Sequence, residues 1–271
     1  PIYLSYNASG VRVEDNGSWV GLGWTLNVGG VITCQVRDEQ ELYVNANGIY
    51  PARSELPLDT DIYNLSIGEF TDIDGRDKEP DIFNINCGNI SGKFTFDKDG
   101  NVIMPGPQNL DIEFSQSGFT VIDNNGTKYF FTTIEGSYDG GSPSNLINYS
   151  WYLTKIESVN VSETIDFAYD DEEYSYLQVP RTIKYISPYG SYEEVPLTKI
   201  YVSGKRLSTI TTSFGDYINF IPGDIRTDLI TNESKSLGSI QINKYNSLIK
   251  SFDFEYEFVE TEYPENSSHP Y

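Results

Sequence analysis

The sequence has few of the side chains on which most enzymes and metal sites depend. Its 271 residues include one histidine, two cysteines and one methionine. The histidine, His269, stands in a polar tail, whereas a catalytic base has to be held rigidly by a third group. A lone histidine also excludes metal sites built from several histidines. We therefore predict a protein that is not an enzyme and that has no cofactor, with calcium as the one metal ion considered below.

Basic side chains are scarce as well, because 18 lysines and arginines stand against 40 aspartates and glutamates. The formal net charge is −22 at pH 7, and a surface this negative repels phosphate backbones and anionic lipid headgroups. No apolar run is long enough to cross a bilayer. We therefore expect no nucleic-acid partner and no membrane insertion.

The two cysteines, Cys34 and Cys87, are too few for a fold that disulfides hold together. Their positions in the sequence leave two interpretations open. They pair in an oxidising compartment, or both stay free and buried.

Aromatic residues in alternating patterns are what the sequence has in abundance. It contains 21 tyrosines and 14 phenylalanines, and large apolar residues recur at every second position, the period of a β-strand. Two strand–turn–strand patterns contain the Asp-Gly or Asn-Gly steps that hairpin turns favour: Lys93–Phe96 with Val102–Met104, and Phe119–Ile122 with Thr127–Phe131. The sequence predicts an all-β fold of antiparallel, hairpin-rich sheets, either an irregular sandwich or the start of a spiral β-shell.

A glycine- and serine-rich stretch at Gly140–Ser144 is the best internal boundary. It divides the chain into residues 1–145, a glycine-rich β region with a tryptophan/glycine signature, and residues 146–271, a β-meander region. One continuous domain is the alternative, in which the same stretch is a long hairpin loop.

The tryptophan/glycine signature lies in Gly17–Thr33, where Trp19 and Trp24 alternate with glycines that let the backbone approach the rings closely. The third tryptophan, Trp151, stands in a strand-like stretch. One interpretation is a sugar-stacking platform of exposed rings. The other is a plug that closes one end of a β-structure, which we favour because large aromatic residues usually pack in cores.

The same region resembles the opening of RHS/YD-repeat proteins, in particular the large surface-associated kind found in Bacteroidetes. The resemblance rests on Pro1–Tyr6, Ala8–Gly10 and Trp19–Thr33, and continues in Glu79–Asn84, Gly92–Asp97, Gly118–Val121, Asn125–Tyr129 and Trp151–Ile156. It is specific over roughly the first 170 residues. Related openings occur in the B components of bacterial insecticidal toxin complexes. The sequence departs from the pattern at Cys34 and in lacking complete Tyr-Asp repeats, of which Tyr138–Gly140 and Tyr169-Asp170 are fragments.

The resemblance implies a non-catalytic β module that begins a long β-structure. In relatives the following repeats wind into a shell that can enclose a C-terminal toxin or effector. It implies a partner in the remainder of the same, longer chain and an extracellular or cell-surface location in a bacterium. The opening segment of this family contributes no catalytic residues.

Clustered acids suggest one metal site. Asp72, Asp74 and Asp77 surround Gly75 in a single predicted turn, and calcium prefers about six to eight oxygen ligands of this kind. Arg76 reduces the local negative charge, and aspartate and glycine favour turns without any metal, which is the interpretation we prefer. The run Asp170–Glu173 is predicted to be a solvated loop.

Three functions from different classes follow from these observations. The first is a structural β module that starts or caps a repeat-built shell. The second is an adhesion module that binds a glycan or a protein at the cell surface through exposed aromatic rings. The third and weakest is a glycoside hydrolase, which needs two carboxyl groups facing each other across a cleft, one of them with a raised pKa.

Overall fold

The computed structural model describes residues 2–8, 16–37, 42–45, 48–51, 80–96, 100–106, 110–115, 117–140, 143, 146–178, 183–187, 190–194, 198–230 and 234–257. These residues form nineteen strands and no helix, so the predicted all-β fold is confirmed. The described residues thus contain no helix long and apolar enough to cross a membrane.

The strands are β1 (Tyr3–Tyr6), β2 (Trp24–Asn27), β3 (Gly30–Gln35), β4 (Leu42–Asn45), β5 (Gly48–Pro51), β6 (Ile82–Cys87), β7 (Ile90–Phe96), β8 (Val102–Ile103), β9 (Asp111–Ser115), β10 (Gly118–Ile122), β11 (Lys128–Asp139), β12 (Ile147–Glu157), β13 (Thr164–Gln178), β14 (Ile183–Ser187), β15 (Gly190–Glu194), β16 (Thr198–Thr212), β17 (Asp216–Ile225), β18 (Lys235–Lys244) and β19 (Ser247–Asp253).

One antiparallel sheet of thirteen strands dominates the described residues. Its main path runs β19-β18-β17-β16-β11-β12-β3-β6-β7-β8. Strand β10 joins β11 to β9, and β13 pairs with both β12 and β16. Three separate two-stranded antiparallel sheets, β1-β2, β4-β5 and β14-β15, account for the other described strands. The predicted hairpin-rich, antiparallel character is thus confirmed.

Both predicted hairpins form. Strand β7 pairs with β8, where Phe96 stands opposite Val102, and β10 pairs with β11, where Phe119 stands opposite Phe131. In the second turn the Asp123 carboxylate accepts hydrogen bonds from the backbone amides of Asn125 and Thr127 at 2.8 and 3.0 Å. This local capping is the reason that aspartate suits the first position of the turn.

The core is a cluster of aromatic rings on β6, β7, β10 and β12. Phe83 stacks on Phe94 at 5.2 Å between ring centroids, and Phe119 meets Trp151 edge-on at 5.1 Å. Trp151 is 2 % exposed and stands opposite Ile32 in the sheet. Rings at these separations gain packing energy beyond the area they bury.

The sheet is continuous across the proposed boundary near residue 145. Strand β12, which follows the boundary, pairs with β11 and β3, which precede it. The division into residues 1–145 and 146–271 stays a prediction, and so does its alternative, a single continuous domain. Cys34 and Cys87 are not joined to each other by a disulfide; they lie on neighbouring strands, opposite Phe83 and Gly30 respectively.

Candidate functional site

The segment that carries the family resemblance is fixed to the far end of the chain. We call residues 16–28 the clasp. The carbonyl of Trp19 accepts hydrogen bonds from the Leu237 amide at 2.8 Å and from the Tyr256 hydroxyl at 3.3 Å. The Arg226 guanidinium donates to the carbonyl of Gly17, whose amide donates to the Asp228 carboxylate at 3.2 Å. The clasp is therefore held by groups more than 200 residues away in sequence.

Glycines give the clasp its shape. Gly21 and Gly23 have φ angles of +107° and +75°, which side-chain-bearing residues rarely adopt. A Cβ on Gly23 would lie 2.9 Å from the Tyr6 ring, so the backbone approaches that ring closely. The Ser18 hydroxyl closes the turn by donating to the Trp24 carbonyl at 2.7 Å. The backbone conformation of the clasp therefore explains why glycine stands at positions 21 and 23.

The three tryptophans occupy three different environments. Trp19 is half-buried and packs against Phe220, with 6.3 Å between ring centroids. Trp24 is 42 % exposed and lies 5.0 Å from the Tyr6 ring, which is itself on the surface. Trp151 is in the core. The packing of Trp19 is what the plug interpretation expects, whereas the exposure of Trp24 is what a sugar-stacking platform expects.

Beneath the clasp lies a half-open cleft of about 470 Å³. Its other walls come from strands β11, β12, β13 and β16 and from Arg226 and Leu229. The lining includes ionisable and aromatic side chains, among them those of Trp19, Glu135, Tyr152, Glu172, Tyr174 and Arg206. The cleft thus brings one predicted site residue, Trp19, together with carboxyl groups from two strands.

Glu135 is the most deeply placed carboxyl group of the cleft, at 9 % exposure. It accepts hydrogen bonds from the Tyr152 hydroxyl at 3.2 Å and from the Lys205 amide at 3.1 Å. Burial raises the pKa of Glu135, and these hydrogen bonds offset only part of that effect. The carboxyl group therefore keeps its proton to a higher pH than an exposed glutamate does.

Tyrosines surround Glu135. Burial is the main cause that raises the pKa of Tyr149, Tyr152 and Tyr174, and the neighbouring Glu135 raises each of them further. Burial also raises the pKa of Tyr169, whose hydroxyl donates to the Leu153 carbonyl at 2.8 Å. All four hydroxyls therefore stay neutral near pH 7 and can act as hydrogen-bond donors.

The second carboxyl group, Glu172, is neutralised by an arginine. The Arg206 Nη1 atom lies 3.2 Å from Glu172 Oε1, and both side chains are about nine-tenths buried. Arg206 also reaches the exposed Asp170 at 3.5 Å. Its Nε atom is buried and has no hydrogen-bond acceptor among the described residues. The pair therefore leaves one buried guanidinium N–H unsatisfied among the described residues.

Sequence reasoning missed both Glu172 and Glu135. The run Asp170–Glu173 is not a solvated loop, as was predicted, but part of β13, where Glu172 turns inward and Glu173 is exposed. Glu135 did leave a signal, because it is the only charged residue between Lys128 and Asp139. A lone charge in an otherwise uncharged strand needs a buried partner, and here the partners are tyrosines.

The calcium prediction falls outside the described residues, because Asp72, Asp74 and Asp77 are not among them. His269 lies outside them as well. Where the chain is described, no group of three or more histidine, cysteine, aspartate or glutamate residues is arranged to hold a metal ion. The calcium site stays a prediction.

Comparison with known proteins gives a distant structural likeness. No family model matches the chain, and neither does any curated protein. The fold is similar to the N-terminal domain of the effector protein SpvB from Salmonella typhimurium strain LT2, with a TM-score of 0.36 and 8 % sequence identity. The match covers 89 % of this chain and 82 % of that one.

Proposed function

We propose that the chain is a non-catalytic structural module at the N-terminal side of a bacterial RHS/YD-repeat surface or secreted protein. In this role it starts or caps a β-shell built by the following repeats. The clasp is the observation that carries the proposal. It joins the resembling segment to Arg226, Leu237 and Tyr256, so that the beginning of the described chain is locked to its last strands.

The edge of the large sheet supports the same role. Strand β19 pairs with β18 and, within the described residues, with no other strand. All of its residues are exposed, including Leu248, Ile249 and Phe252. An exposed apolar edge strand invites pairing with a further strand, and proteins usually protect such edges. A following repeat would protect it by continuing the sheet.

The partner in this proposal is the remainder of the protein's own longer chain. The location is extracellular or at the bacterial surface, which rests on the family resemblance. The net charge of −22 supports the absence of nucleic acid among the partners, because phosphate backbones would be repelled.

Hydrogen exchange on β19 tests the proposal. The amides of β19 that do not face β18 should exchange rapidly in the isolated 271-residue chain. In the longer parent polypeptide the same amides should become protected, because a neighbouring strand then accepts their hydrogen bonds. Equal exchange in the two samples, with the β18 amides protected in both, would contradict sheet continuation.

A second function is favoured by one surface feature. Trp24 and Tyr6 are 42 % and 55 % exposed and lie side by side, as the adhesion hypothesis requires. Rings arranged in this way can stack on the apolar face of a sugar. A glycan array probed with the native chain and with Trp24→Ala tests this function. Signals that disappear in the variant support it, and an array without signals counts against it.

The absence of catalysis is itself part of the proposal and has its own test. Glu135 and Glu172 line one cleft, and a hydrolase would use such a pair. We expect no release of reducing ends from a panel of polysaccharides. Turnover that is abolished by Glu135→Gln or Glu172→Gln would establish the hydrolase instead.

A further inference from the structure

The cleft beneath the clasp has the size of a ligand site. Its volume of about 470 Å³ lies within the range of roughly 300–1,000 Å³ that small-molecule sites occupy. Its walls come from parts of the chain as distant as Trp19, Tyr152 and Arg226. A structural module does not need an open space at this junction, because side chains normally fill a core without voids.

The charges in the cleft are already balanced. Arg206 is paired with Glu172 at 3.2 Å, and Arg226 holds Asp228 at 2.6 Å. The Lys205 ammonium group is paired with the exposed Asp171. An anionic ligand would have to displace one of these carboxylates. Burial raises the pKa of Glu135, the carboxyl group without a cationic partner, and so weakens its attraction for a cationic ligand. A neutral ligand would displace no partner, so the charges favour a neutral one.

The remaining lining groups suit a ligand rich in hydroxyl groups. Tyr152, Tyr174 and Tyr176 offer rings and phenolic hydroxyls, and Ser18 and Thr25 add aliphatic hydroxyls. Trp19, which is half-buried, also lines the cleft. Sugars combine apolar C–H faces, which pack on aromatic rings, with hydroxyl groups that bond to carboxyl groups and arginines. The Arg206 guanidinium also lines the cleft and has further N–H groups that can donate to a sugar hydroxyl.

We propose that this cleft binds a neutral saccharide unit of one or two rings, with Glu135, Tyr152 and Arg206 as polar contacts and Trp19 as the stacking ring. This binding site is separate from the structural role and from the surface pair Trp24–Tyr6. It would let the module hold a sugar between its clasp and its large sheet.

Binding is tested on the full 271-residue chain with free sugars. The probes are glucose, galactose, mannose, N-acetylglucosamine, maltose and cellobiose, each at up to about 20 mM, where millimolar affinities are measurable. Saturation-transfer NMR detects binding, and tryptophan fluorescence gives the dissociation constant. We expect at least one sugar to bind, because the cleft offers both polar and stacking contacts.

Two variants locate the binding. Glu135→Gln and Tyr152→Phe keep the size of the side chain and should weaken binding by about tenfold or more, because each alters a buried hydrogen bond. Glu173→Gln removes an exposed carboxylate beside Glu172 and should leave the dissociation constant unchanged. Trp24→Ala should also leave it unchanged. Circular dichroism and thermal melting show whether each variant is folded, and the two cleft variants are independent of each other.

Each remaining outcome would overturn the proposal. No binding of any probe by the folded native chain excludes a neutral-sugar site. Binding that survives in both folded cleft variants but is lost in Trp24→Ala places the sugar on the outer surface. Displacement of a bound probe by equimolar inorganic phosphate would show that the cleft selects an anion.

Discussion

Glu135 couples the stability of the folded protein to pH, because burial raises the pKa of its carboxyl group. The unfolded chain releases this proton near its ordinary pKa of about 4.3, whereas the folded chain retains it to higher pH. The stabilisation that protonated Glu135 gives to the folded state is therefore complete below the unfolded-state pKa. It is lost as pH rises towards the raised pKa, at about 1.4 kcal/mol for each unit of the shift.

Replacing Glu135 with glutamine should remove this loss. The free energy of unfolding of Glu135→Gln, relative to the native chain, should therefore improve as pH rises above about 4 and level off once pH passes the raised pKa of Glu135. Urea unfolding at each pH measures it, and Glu173→Gln serves as the matched control for removing one carboxylate. A relative stability of Glu135→Gln that falls with rising pH would show that the hydrogen bonds from Tyr152 and Lys205 outweigh burial.

Gly118 is the position where a single methyl group should cost most. Its φ is +120°, and an added Cβ would lie 2.1 Å from the carbonyl oxygen of Phe131 on the paired strand β11. Neither strand can move without disturbing the pairing of Phe119 with Phe131. We expect Gly118→Ala to lower the free energy of unfolding by about 2–4 kcal/mol.

Gly140→Ala is the control for this substitution, because its Cβ would meet nothing closer than the Lys199 carbonyl oxygen at 3.8 Å. It should change stability by no more than about 0.5 kcal/mol. Urea unfolding of the two variants gives the comparison. Equal effects would mean that the contact with β11 does not limit this position.

At the scale of elements, the clasp depends on Asp228. Its carboxylate binds the Arg226 guanidinium at 2.6 and 3.0 Å and accepts the Gly17 amide at 3.2 Å. Asp228→Asn should cost about 1 kcal/mol, since the side chain is partly exposed and solvent screens the ion pair. The backbone amides of residues 16–28 should then exchange faster with deuterium, while those of β12 should not.

Asp224→Asn is the matched control for the clasp. Asp224 is exposed, and its substitution removes the same charge four residues earlier in the sequence. Its clasp amides should exchange as in the native chain. Faster exchange in both variants would mean that net charge, and not the Asp228 contacts, governs the clasp.

Local elements were predictable and long-range pairings were not. The β10-β11 hairpin follows from turn residues that are adjacent in sequence, and its Asp123 capping forms within five residues. The position of β3 between β6 and β12 could not be predicted, because Ile32 stands opposite both Ile85 and Trp151, which are far away in sequence. Such contacts depend on which surfaces fit, and alternation alone does not encode that.

The candidate site divides in the same way. The sequence analysis favoured packing for both glycine-flanked tryptophans. In the structure Trp19 packs against the core and Trp24 is exposed, and the pattern they share gave no means of separating them. The pairing of Glu172 with Arg206 depends on the long β13-β16 ladder, where Asp170 stands opposite Arg206. That register is visible only once both strands are placed side by side.

At the scale of the whole molecule, the excess of acidic side chains should make stability depend on salt. A formal charge of −22 at pH 7 means that like charges repel in the compact state more than in the expanded one. Salt shortens the range of this repulsion from about 30 Å at 0.01 M to about 3 Å at 1 M. The Arg206–Glu172 ion pair is mostly buried and is screened less.

Repulsion should therefore dominate the effect of salt. We expect sodium chloride to raise the free energy of unfolding at pH 7 by roughly 1 kcal/mol or more between about 0.01 and 0.5 M. The control is the same titration near the isoelectric point of about 4.2, where the net charge vanishes and the rise should disappear. A rise of equal size at both pH values would show that the salt acts on apolar burial, because only the charge effect depends on the distance from the isoelectric point.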